Sequence, residues 1–284
     1  MPVLDDLTGE LNASTANYSS VAPQMTEKSI KHGNFDSLAG DYAQYRPGYA
    51  PSIVTAVLSL VGRPARELDA VDIGAGTGIW TRILAAQSLR SITAVEPSDE
   101  MRRHGLLSPQ EQNIVWRRGT AEETDLPPRA YDLVTMASSF HWVDFDKACT
   151  EFQRILRPGG RFVALWNPRM IELNPLLAEI EQEITRLNPN VQRVSSGRSG
   201  LTDRLTDMLW AKPGFNDVVY LEARHVATQT ADQYLGAWRS VNDLRVQLGS
   251  DLFTQFLHFV ERKTVDLAAI ETTYLTRAWA VRRT

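Results

Sequence analysis

The sequence predicts an α/β protein whose mostly parallel, seven-stranded sheet carries helices on both faces. Short apolar segments typical of strands alternate with helical patterns from residue 70 to residue 166, which indicates a parallel sheet. The first strand, Ala70–Ile73, runs directly into the glycine-rich turn Gly74–Gly78, and an apolar helix follows. Two later extended segments, Phe215–Ala227 and Ile270–Val281, are predicted to complete the sheet as an antiparallel pair.

The other elements follow from the same periodicities and from turn-forming residues. A short helix within Phe35–Tyr49 is stopped by Pro47, and Pro51 opens a second helix whose apolar residues share one face. Further strands are predicted at Ser91–Val95, Ile114–Arg117, Tyr131–Met136 and Arg161–Trp166. Further helices are predicted at Asp144–Leu156, Ile171–Leu187, Ala231–Arg239 and Asp251–Lys263.

Composition limits the classes of function. The chain has 284 residues, a net charge of −4 and scattered arginines, so we expect no nucleic-acid partner. It has no long apolar run and no signal-peptide pattern at its start, so we expect a cytoplasmic protein without membrane contact. Cys149 is the single cysteine, which excludes a cysteine-based metal site, and no metal is predicted. A monomer and a homodimer both stay open.

The spacing of the glycine turn discriminates between its possible ligands. Such a turn lets a ligand approach the backbone and the N–H groups at the start of the next helix. The dinucleotide-binding fingerprint needs a glycine three residues after Gly76, but Ile79 stands there and Gly78 comes one residue early. No Gly-Lys-Ser/Thr follows, so a P-loop is excluded. Asp72, just before the turn, would repel a pyrophosphate and attract an ammonium group.

The segment Ala70–Gly78 resembles motif I of the class I S-adenosylmethionine-dependent methyltransferases. The resemblance implies a Rossmann-like fold with a helical cap inserted after the fifth strand. It also implies S-adenosylmethionine as cofactor and S-adenosylhomocysteine as product. The cofactor contacts that it implies in this segment are Asp72, Gly74, Ala75, Gly76 and Gly78. The alternative is a glycine turn that only links a strand to a helix.

Residues after the next strands extend the resemblance. Glu96 ends the second strand about twenty residues past the glycines, where a carboxylate can accept hydrogen bonds from ribose hydroxyls. Met101 matches the position of an apolar side chain against adenine, with helix core as its alternative. After the third strand, either Thr120 or Glu122 would supply the polar contact to the adenine edge. The cofactor contacts predicted in these loops also include Pro97, Ala121 and Ala137.

The fourth strand exits through Phe140, His141 and Trp142, at the edge where open α/β sheets bind ligands. These three residues are predicted to lie between cofactor and substrate. His141 is a candidate general base, because imidazole titrates near neutrality. The alternative, a histidine that only packs and shapes the pocket, stays open.

A Tyr-x-x-Tyr-Arg-Pro-x-Tyr cluster begins at Tyr42. Arg46 offers a fork of donors suited to the methionine carboxylate of the cofactor, and Tyr42 could bond the same group. The aromatic faces could attract the sulfonium or a cationic substrate. Tyr42, Phe140 and His141 are therefore the candidate catalytic residues. The predicted substrate contacts are Tyr45, Tyr49, Phe140, His141, Trp142, Trp166, Trp238 and Arg239.

The Tyr-Arg-Pro cluster, His141–Phe145 and Tyr234–Ser240 are similar to the branch that contains trans-aconitate and many natural-product methyltransferases. That likeness implies methyl transfer to an oxygen or nitrogen of a small molecule, such as a secondary metabolite or a carboxylate. A methyltransferase acting on protein or RNA, and a non-catalytic cofactor-binding protein, are the alternative hypotheses. The predicted division is a flexible arm or lid (1–34), a cofactor-binding core (35–167), a cap over the substrate site (168–212 and 228–266) and closing strands (213–227 and 267–284).

Overall fold

The computed structural model describes residues 39–107, 113–193, 197 and 200–284. The predicted arm at residues 1–34 lies outside the described residues. Within them, seven strands form one sheet in the order β3-β2-β1-β4-β5-β7-β6. The strands are β1 (Asp69–Ile73), β2 (Ser91–Val95), β3 (Ile114–Arg117), β4 (Tyr131–Ala137), β5 (Leu156–Trp166), β6 (Phe215–Gln229) and β7 (Ile270–Arg283). Strands β1 to β5 pair in parallel and β7 is antiparallel to both of its neighbours, so the predicted sheet is confirmed.

Nine α-helices lie in the described part of the chain. They are α1 (Ala39–Tyr45), α2 (Pro51–Val61), α3 (Ile79–Ala85), α4 (Asp99–Leu106), α5 (Phe145–Ile155), α6 (Pro175–Leu187), α7 (Leu201–Ala211), α8 (Ala231–Arg239) and α9 (Asn242–Thr264). Helix α7 was not predicted. Helix α9 begins nine residues before its predicted start, and Gly249 interrupts it with a φ of 72°. The sequence predicts only the part of this helix that follows the interruption.

Local sequence signals fix the helix ends. Helix α2 has Pro51 in its first turn and ends at Gly62, which adopts a left-handed φ of 75°. The Asp144 side chain begins α5 by accepting hydrogen bonds from the backbone N–H groups of Asp146 and Lys147. The predicted turn at 157–160 forms a bulge within β5, since the pairing with β4 jumps from Leu156 to Arg161.

Each face of the sheet is covered by helices with apolar stripes. On one face α2 and α3 bury Val57, Trp80 and Leu84 against the sheet. On the other face α5 and α7 bury side chains that include Phe152 and Leu205. Helix α7 therefore packs under the sheet, although the sequence placed residues 168–212 in the cap. Its Leu205 and Leu209 form an apolar pair on one helix face, which is the signal that was missed.

Helices α6, α8 and α9 form a separate apolar cluster beyond the sheet. Its centre contains Leu177, Tyr234, Trp238 and Phe256. Helix α1 contacts α8 of this cluster, and the ring of Tyr45 lies so close to Gly236 that a side chain there would overlap it. The short helix α1 thus joins the cap to the carboxyl edge of the sheet, next to the glycine turn.

Candidate active site

Gly74, Ala75 and Gly76 of the turn after β1 form the floor of a cavity of about 410 Å³, whereas Gly78, also predicted to contact the cofactor, does not line it. Gly74, Gly76 and Gly78 all adopt left-handed φ values, of 64°, 58° and 86°, which side chains rarely tolerate. A Cβ added at Gly74 would clash with Ser139, and one added at Gly78 would lie 2.9 Å from Arg82. At Gly76 an added Cβ would meet nothing within 4 Å. Protein packing therefore explains two of the glycines, whereas Gly76 leaves open space beside the cavity.

Glu96 faces the same turn from the end of β2. Its Oε2 accepts a hydrogen bond from the Gly76 N–H at 2.8 Å, and its Oε1 accepts one from the Ser98 N–H at 2.9 Å. Burial raises the pKa of this carboxyl, and the two backbone donors oppose that effect. Each oxygen keeps a second lone pair, so Glu96 can still accept hydrogen bonds from a ligand.

Asp72 lies beneath the turn and does not line the cavity. Its Oδ2 accepts a hydrogen bond from the Thr81 hydroxyl at 2.6 Å, and its Oδ1 accepts one from the Thr135 hydroxyl at 3.0 Å. Burial raises the pKa of Asp72 to about 7. The predicted direct contact with an ammonium group is therefore not seen, because alternation along β1 turns this side chain toward α3. Asp72 joins β1, α3 and β4 below the site.

The far end of the cavity is built from the loops after β2 and β3. Pro97, Met101, Thr120, Ala121 and Glu122 all line it, as the sequence predicts. The Thr120 hydroxyl accepts a hydrogen bond from the Glu123 N–H at 3.2 Å, which leaves its own proton for a ligand. Glu122 accepts a hydrogen bond from the Asp144 N–H at 2.9 Å. Both candidates for the adenine contact therefore lie at the wall, and each also stabilises its own loop.

The opposite end is closed by residues 46–50, which we call the gate segment, together with α1. Tyr42, Arg46 and Tyr49 line the cavity here. Arg46 donates from Nε to the Ser240 hydroxyl at 2.8 Å and from Nη2 to the Ser240 carbonyl at 3.3 Å, and it lies over the Tyr42 ring. The Tyr49 hydroxyl is 3.0 Å from the Ser138 hydroxyl. These contacts hold the gate segment between the cap and the end of β4.

His141 lies outside the cavity, contrary to the expectation for a catalytic base. Its Nδ1 accepts a hydrogen bond from the Trp166 indole N–H at 3.2 Å, and its Nε2 is buried without a hydrogen-bond partner. Burial lowers the pKa of His141 to about 4, so the ring is neutral at pH 7. The structure therefore favours the packing alternative for this residue.

Several other predicted substrate contacts also lie away from the cavity. Phe140 packs against Phe152 and Phe162 in the core below the sheet edge, and Trp166 is buried behind His141. Trp238 is fully buried in the cap. Tyr45 packs against Gly236, and Arg239 is exposed at the end of α8. Among the predicted aromatic contacts, Tyr42, Tyr49 and Trp142 do line the cavity, as does Ala137 of β4.

Sequence reasoning missed part of the wall. Asn167, directly after β5, could have been found, because polar residues after parallel strands lie at the ligand-binding edge. Ser138, which adopts a left-handed φ of 55°, follows β4 in the same way. Tyr274 of β7 gave no such signal, since this strand enters the sheet from the opposite direction. The other lining residues that were not predicted are Pro47, Ile79, Trp80, Met136, Ser139 and Val143.

Within the described ranges we find no cluster of three or more His, Cys, Asp or Glu side chains arranged to hold a metal ion. None of the helices in those ranges is long and apolar enough to cross a membrane.

The chain is similar to known proteins in sequence and in structure. Residues 71–164 match the family described as a methyltransferase domain. An uncharacterized methyltransferase of Mycobacterium tuberculosis is 38% identical over 136 residues, which are 48% of this chain and 53% of the relative. The chain therefore spans about half the length of the curated relatives it matches.

Solved structures confirm the Rossmann-like fold. A candidate type II methyltransferase from Anaeromyxobacter dehalogenans aligns over 84% of this chain and 98% of its own, with a TM-score of 0.59 and 22% identity. A phosphoethanolamine N-methyltransferase from Haemonchus contortus, solved with phosphomonomethylethanolamine and S-adenosylhomocysteine, aligns over 88% of this chain and 58% of its own. Its TM-score is 0.51 at 17% identity. The predicted fold is confirmed, and residues 71–164 match the predicted methyltransferase family. The trans-aconitate and natural-product branch stays a prediction.

Proposed function

We propose that this protein binds S-adenosylmethionine and transfers its methyl group to an oxygen or nitrogen of a small molecule. The observation that carries the proposal is the pairing of Gly76 with Glu96. Gly76 leaves open space where a side chain would stand. Its N–H donates a hydrogen bond to the buried Glu96 carboxylate, which can also accept hydrogen bonds from ribose hydroxyls. A nucleoside with a free vicinal diol fits that pair, whereas a pyrophosphate would be repelled by Glu96.

The cavity walls suit the two ends of such a cofactor. Met101 and Ala121 offer apolar surface for an adenine ring, and Thr120 offers a hydroxyl at its edge. At the gate, Nε and Nη2 of Arg46 are engaged with Ser240, so Nη1 is the donor proposed for the methionine carboxylate. The faces of Tyr42, Tyr49 and Trp142 would favour a positively charged sulfonium between them.

The reaction proposed is an in-line displacement at the sulfonium methyl, which the bound cofactor supplies as an electrophile. The work of the protein is then to position the acceptor and exclude water. Positioning alone can lower a barrier by roughly 7–11 kcal/mol, so little acid–base assistance is required. The gate segment and α1 cover the cavity where Tyr42 and Arg46 stand, and this cover would exclude water.

Three observations support a small acceptor. The cavity volume of about 410 Å³ is in the range of small-molecule sites. The net charge of −4 opposes binding to a nucleic-acid backbone. The Haemonchus contortus enzyme, which shares the fold, was solved with a small phosphorylated amine. A secondary metabolite or a carboxylate, as the branch resemblance implies, is the acceptor class proposed first.

The proposal is tested with cofactor labelled at its methyl group. The protein is incubated with a fractionated metabolite extract, and in parallel with total RNA and with denatured protein. We expect label in small molecules in a protein-dependent manner, and loss of that label in a Glu96→Ala variant. Label found only in RNA or protein, or label in no fraction, would contradict the proposal.

A further inference from the structure

One backbone carbonyl in the gate segment is held by two side chains from distant parts of the chain. The Gly48 carbonyl accepts a hydrogen bond from Asn167 Nδ2 at 2.9 Å and lies 3.0 Å from His225 Nε2. Asn167 follows β5, and His225 lies on β6. One donor is enough to satisfy a carbonyl group. The second hydrogen bond therefore fixes the position of residue 48 more tightly than one hydrogen bond would.

The next residues of the gate segment are held through the same network. The Thr276 hydroxyl accepts a hydrogen bond from the Ala50 N–H at 2.9 Å and donates one to Asn167 Oδ1 at 2.8 Å. Both Nδ2 and Oδ1 of Asn167 are therefore hydrogen-bonded, which fixes the orientation of its amide group. Three side chains from β6, β7 and the end of β5 thus define one position for residues 48–50.

His225 approaches this network from outside the cavity. Asn167 and Tyr274 line the cavity, whereas His225 lines a surface groove on the other side of the gate segment. The His225 ring stacks on Tyr274 with ring centroids 5.5 Å apart and 26° between the planes. Since a carbonyl only accepts, Nε2 carries the proton. Burial lowers the pKa of His225, and the hydrogen bond to the Gly48 carbonyl opposes that effect.

The position of residue 48 matters because its neighbours form the wall of the site. Arg46 and Tyr49 flank it, and both line the cavity. If the hydrogen bond from His225 were lost, only Asn167 would hold the Gly48 carbonyl, and these two side chains would populate additional positions. Only the fraction of molecules with both side chains in place would bind cofactor at full strength.

We propose that His225 is a positioning residue, whose hydrogen bond to the Gly48 carbonyl fixes Arg46 and Tyr49 in the arrangement that binds the cofactor. This inference rests on the proposed function, since it assumes that the cavity takes S-adenosylmethionine. It assigns a role in cofactor binding to a residue that does not line the cavity.

The test uses two substitutions at the same site and a matched control. His225→Phe keeps the ring against Tyr274 and removes the donor, whereas His225→Gln keeps a donor at similar reach. Asn174→Asp is the control, because Asn174 Nδ2 also donates to a carbonyl, that of Glu271, at 2.9 Å, but neither residue lines the cavity. Binding of S-adenosylhomocysteine is measured by calorimetry, and thermal melting is recorded for each variant.

We expect His225→Phe to raise the dissociation constant about three- to tenfold, which is the usual effect of losing one hydrogen bond. His225→Gln should restore most of the affinity, and Asn174→Asp should bind like wild type. Unchanged affinity in His225→Phe, or equal losses in the Phe and Gln variants, would overturn the inference. If His225→Phe does not fold, Thr276→Val releases the same segment from β7 and must produce the same loss of affinity. Wild-type protein that binds no S-adenosylhomocysteine would instead contradict the proposed function.

Discussion

Asp72 has a different role in the structure from the one that the sequence predicts. It was expected to face the ligand, but its carboxylate lies below the glycine turn and is bonded to Thr81 and Thr135. Its role is to hold the turn from beneath, so that the backbone of Gly74 and Gly76 faces the cavity. An acid in this position acts on the ligand only through the backbone that it supports.

The raised pKa of Asp72 predicts a specific pH dependence of stability. The folded value of about 7 exceeds the unfolded value near 3.9, so between these pH values the folded state binds the extra proton. Stability conferred by the protonated carboxyl is therefore lost as pH rises from about 4 to 7. The free energy of unfolding of Asp72→Asn, relative to wild type, should increase over that interval by on the order of 4 kcal/mol.

Urea unfolding at several pH values measures this difference. His141, whose lowered pKa gives the opposite slope between about pH 4 and 6.5, is present in both proteins and cancels. A constant difference between the two proteins across the interval would show that Asp72 is ionised in the folded state.

His141 gives a second prediction for a single residue. Because the ring accepts a hydrogen bond from Trp166 and lies outside the cavity, His141→Phe should leave the turnover rate within about tenfold of wild type, whereas loss of a general base costs about 100- to 10,000-fold. The buried indole N–H would lose its acceptor, so the free energy of unfolding should fall by about 1–3 kcal/mol. Transfer of labelled methyl and urea unfolding measure the two effects. His141→Asn, which keeps an acceptor, is the control. A loss of turnover of about 100-fold or more in both variants would show that His141 acts as a general base.

At the scale of elements, the docking of α1 on α8 decides whether the site is closed. The Tyr45 ring fills the space above Gly236, and Arg46 bonds Ser240 at the end of the same helix. The described part of helix α1 has seven residues, and a helix of that length is not stable alone, so its position depends on this contact.

Gly236→Ala should therefore displace α1, since the added methyl would overlap the Tyr45 ring. We expect faster amide hydrogen exchange in residues 39–46 and weaker binding of S-adenosylhomocysteine. Gly40→Ala is the matched control, because its added Cβ would make an ordinary contact with His104 at 3.6 Å, and alanine is the better helix former. If Gly236→Ala exchanged and bound like Gly40→Ala, docking of α1 would not control the site.

Most strands and helices could be predicted from the sequence, whereas the direction in which several aromatic side chains face could not. The strands and most helices were found because apolar periodicity and turn residues are local signals. Helix α7 was missed because its polar surroundings resemble a loop, and the first part of α9 was missed because Gly249 breaks its pattern. Phe140 was assigned to the substrate site because it follows β4, and Trp238 because its segment resembles the methyltransferase branch. Phe140, Trp166 and Trp238 are nevertheless core residues. Which aromatic rings face a cavity depends on packing between distant elements.

Across the whole molecule, the two edges of the sheet have different tasks. At the amino ends of the strands, Asp132 accepts hydrogen bonds from Arg63 at 2.8 Å, Arg157 at 2.6 Å and the Asp69 N–H at 2.9 Å. This network joins β1, β4 and β5 and contacts no cavity residue. At the carboxyl ends, the loops hold the glycine turn, Glu96 and the gate segment. The separation allows residues of the binding edge to be changed while the sheet stays intact.

Because the two edges are separate, the assignment of the cavity to S-adenosylmethionine can be tested with one glycine in the cavity and one outside it. Gly76 and Gly159 both adopt left-handed φ values, of 58° and 79°, and neither would bring an added Cβ within 4 Å of another atom. Alanine at either position should therefore cost a similar backbone strain, of about 1–2 kcal/mol. Only Gly76 borders the cavity, whereas Gly159 lies in the bulge of β5.

Calorimetric titration of wild type, Gly76→Ala and Gly159→Ala with S-adenosylhomocysteine tests this assignment most directly. We predict that wild type and Gly159→Ala bind with the same affinity, and that Gly76→Ala binds at least about tenfold more weakly, because its methyl group would occupy the space of the ligand. Equal affinity in all three proteins, or no binding by wild type, would contradict the assignment of this cavity to S-adenosylmethionine.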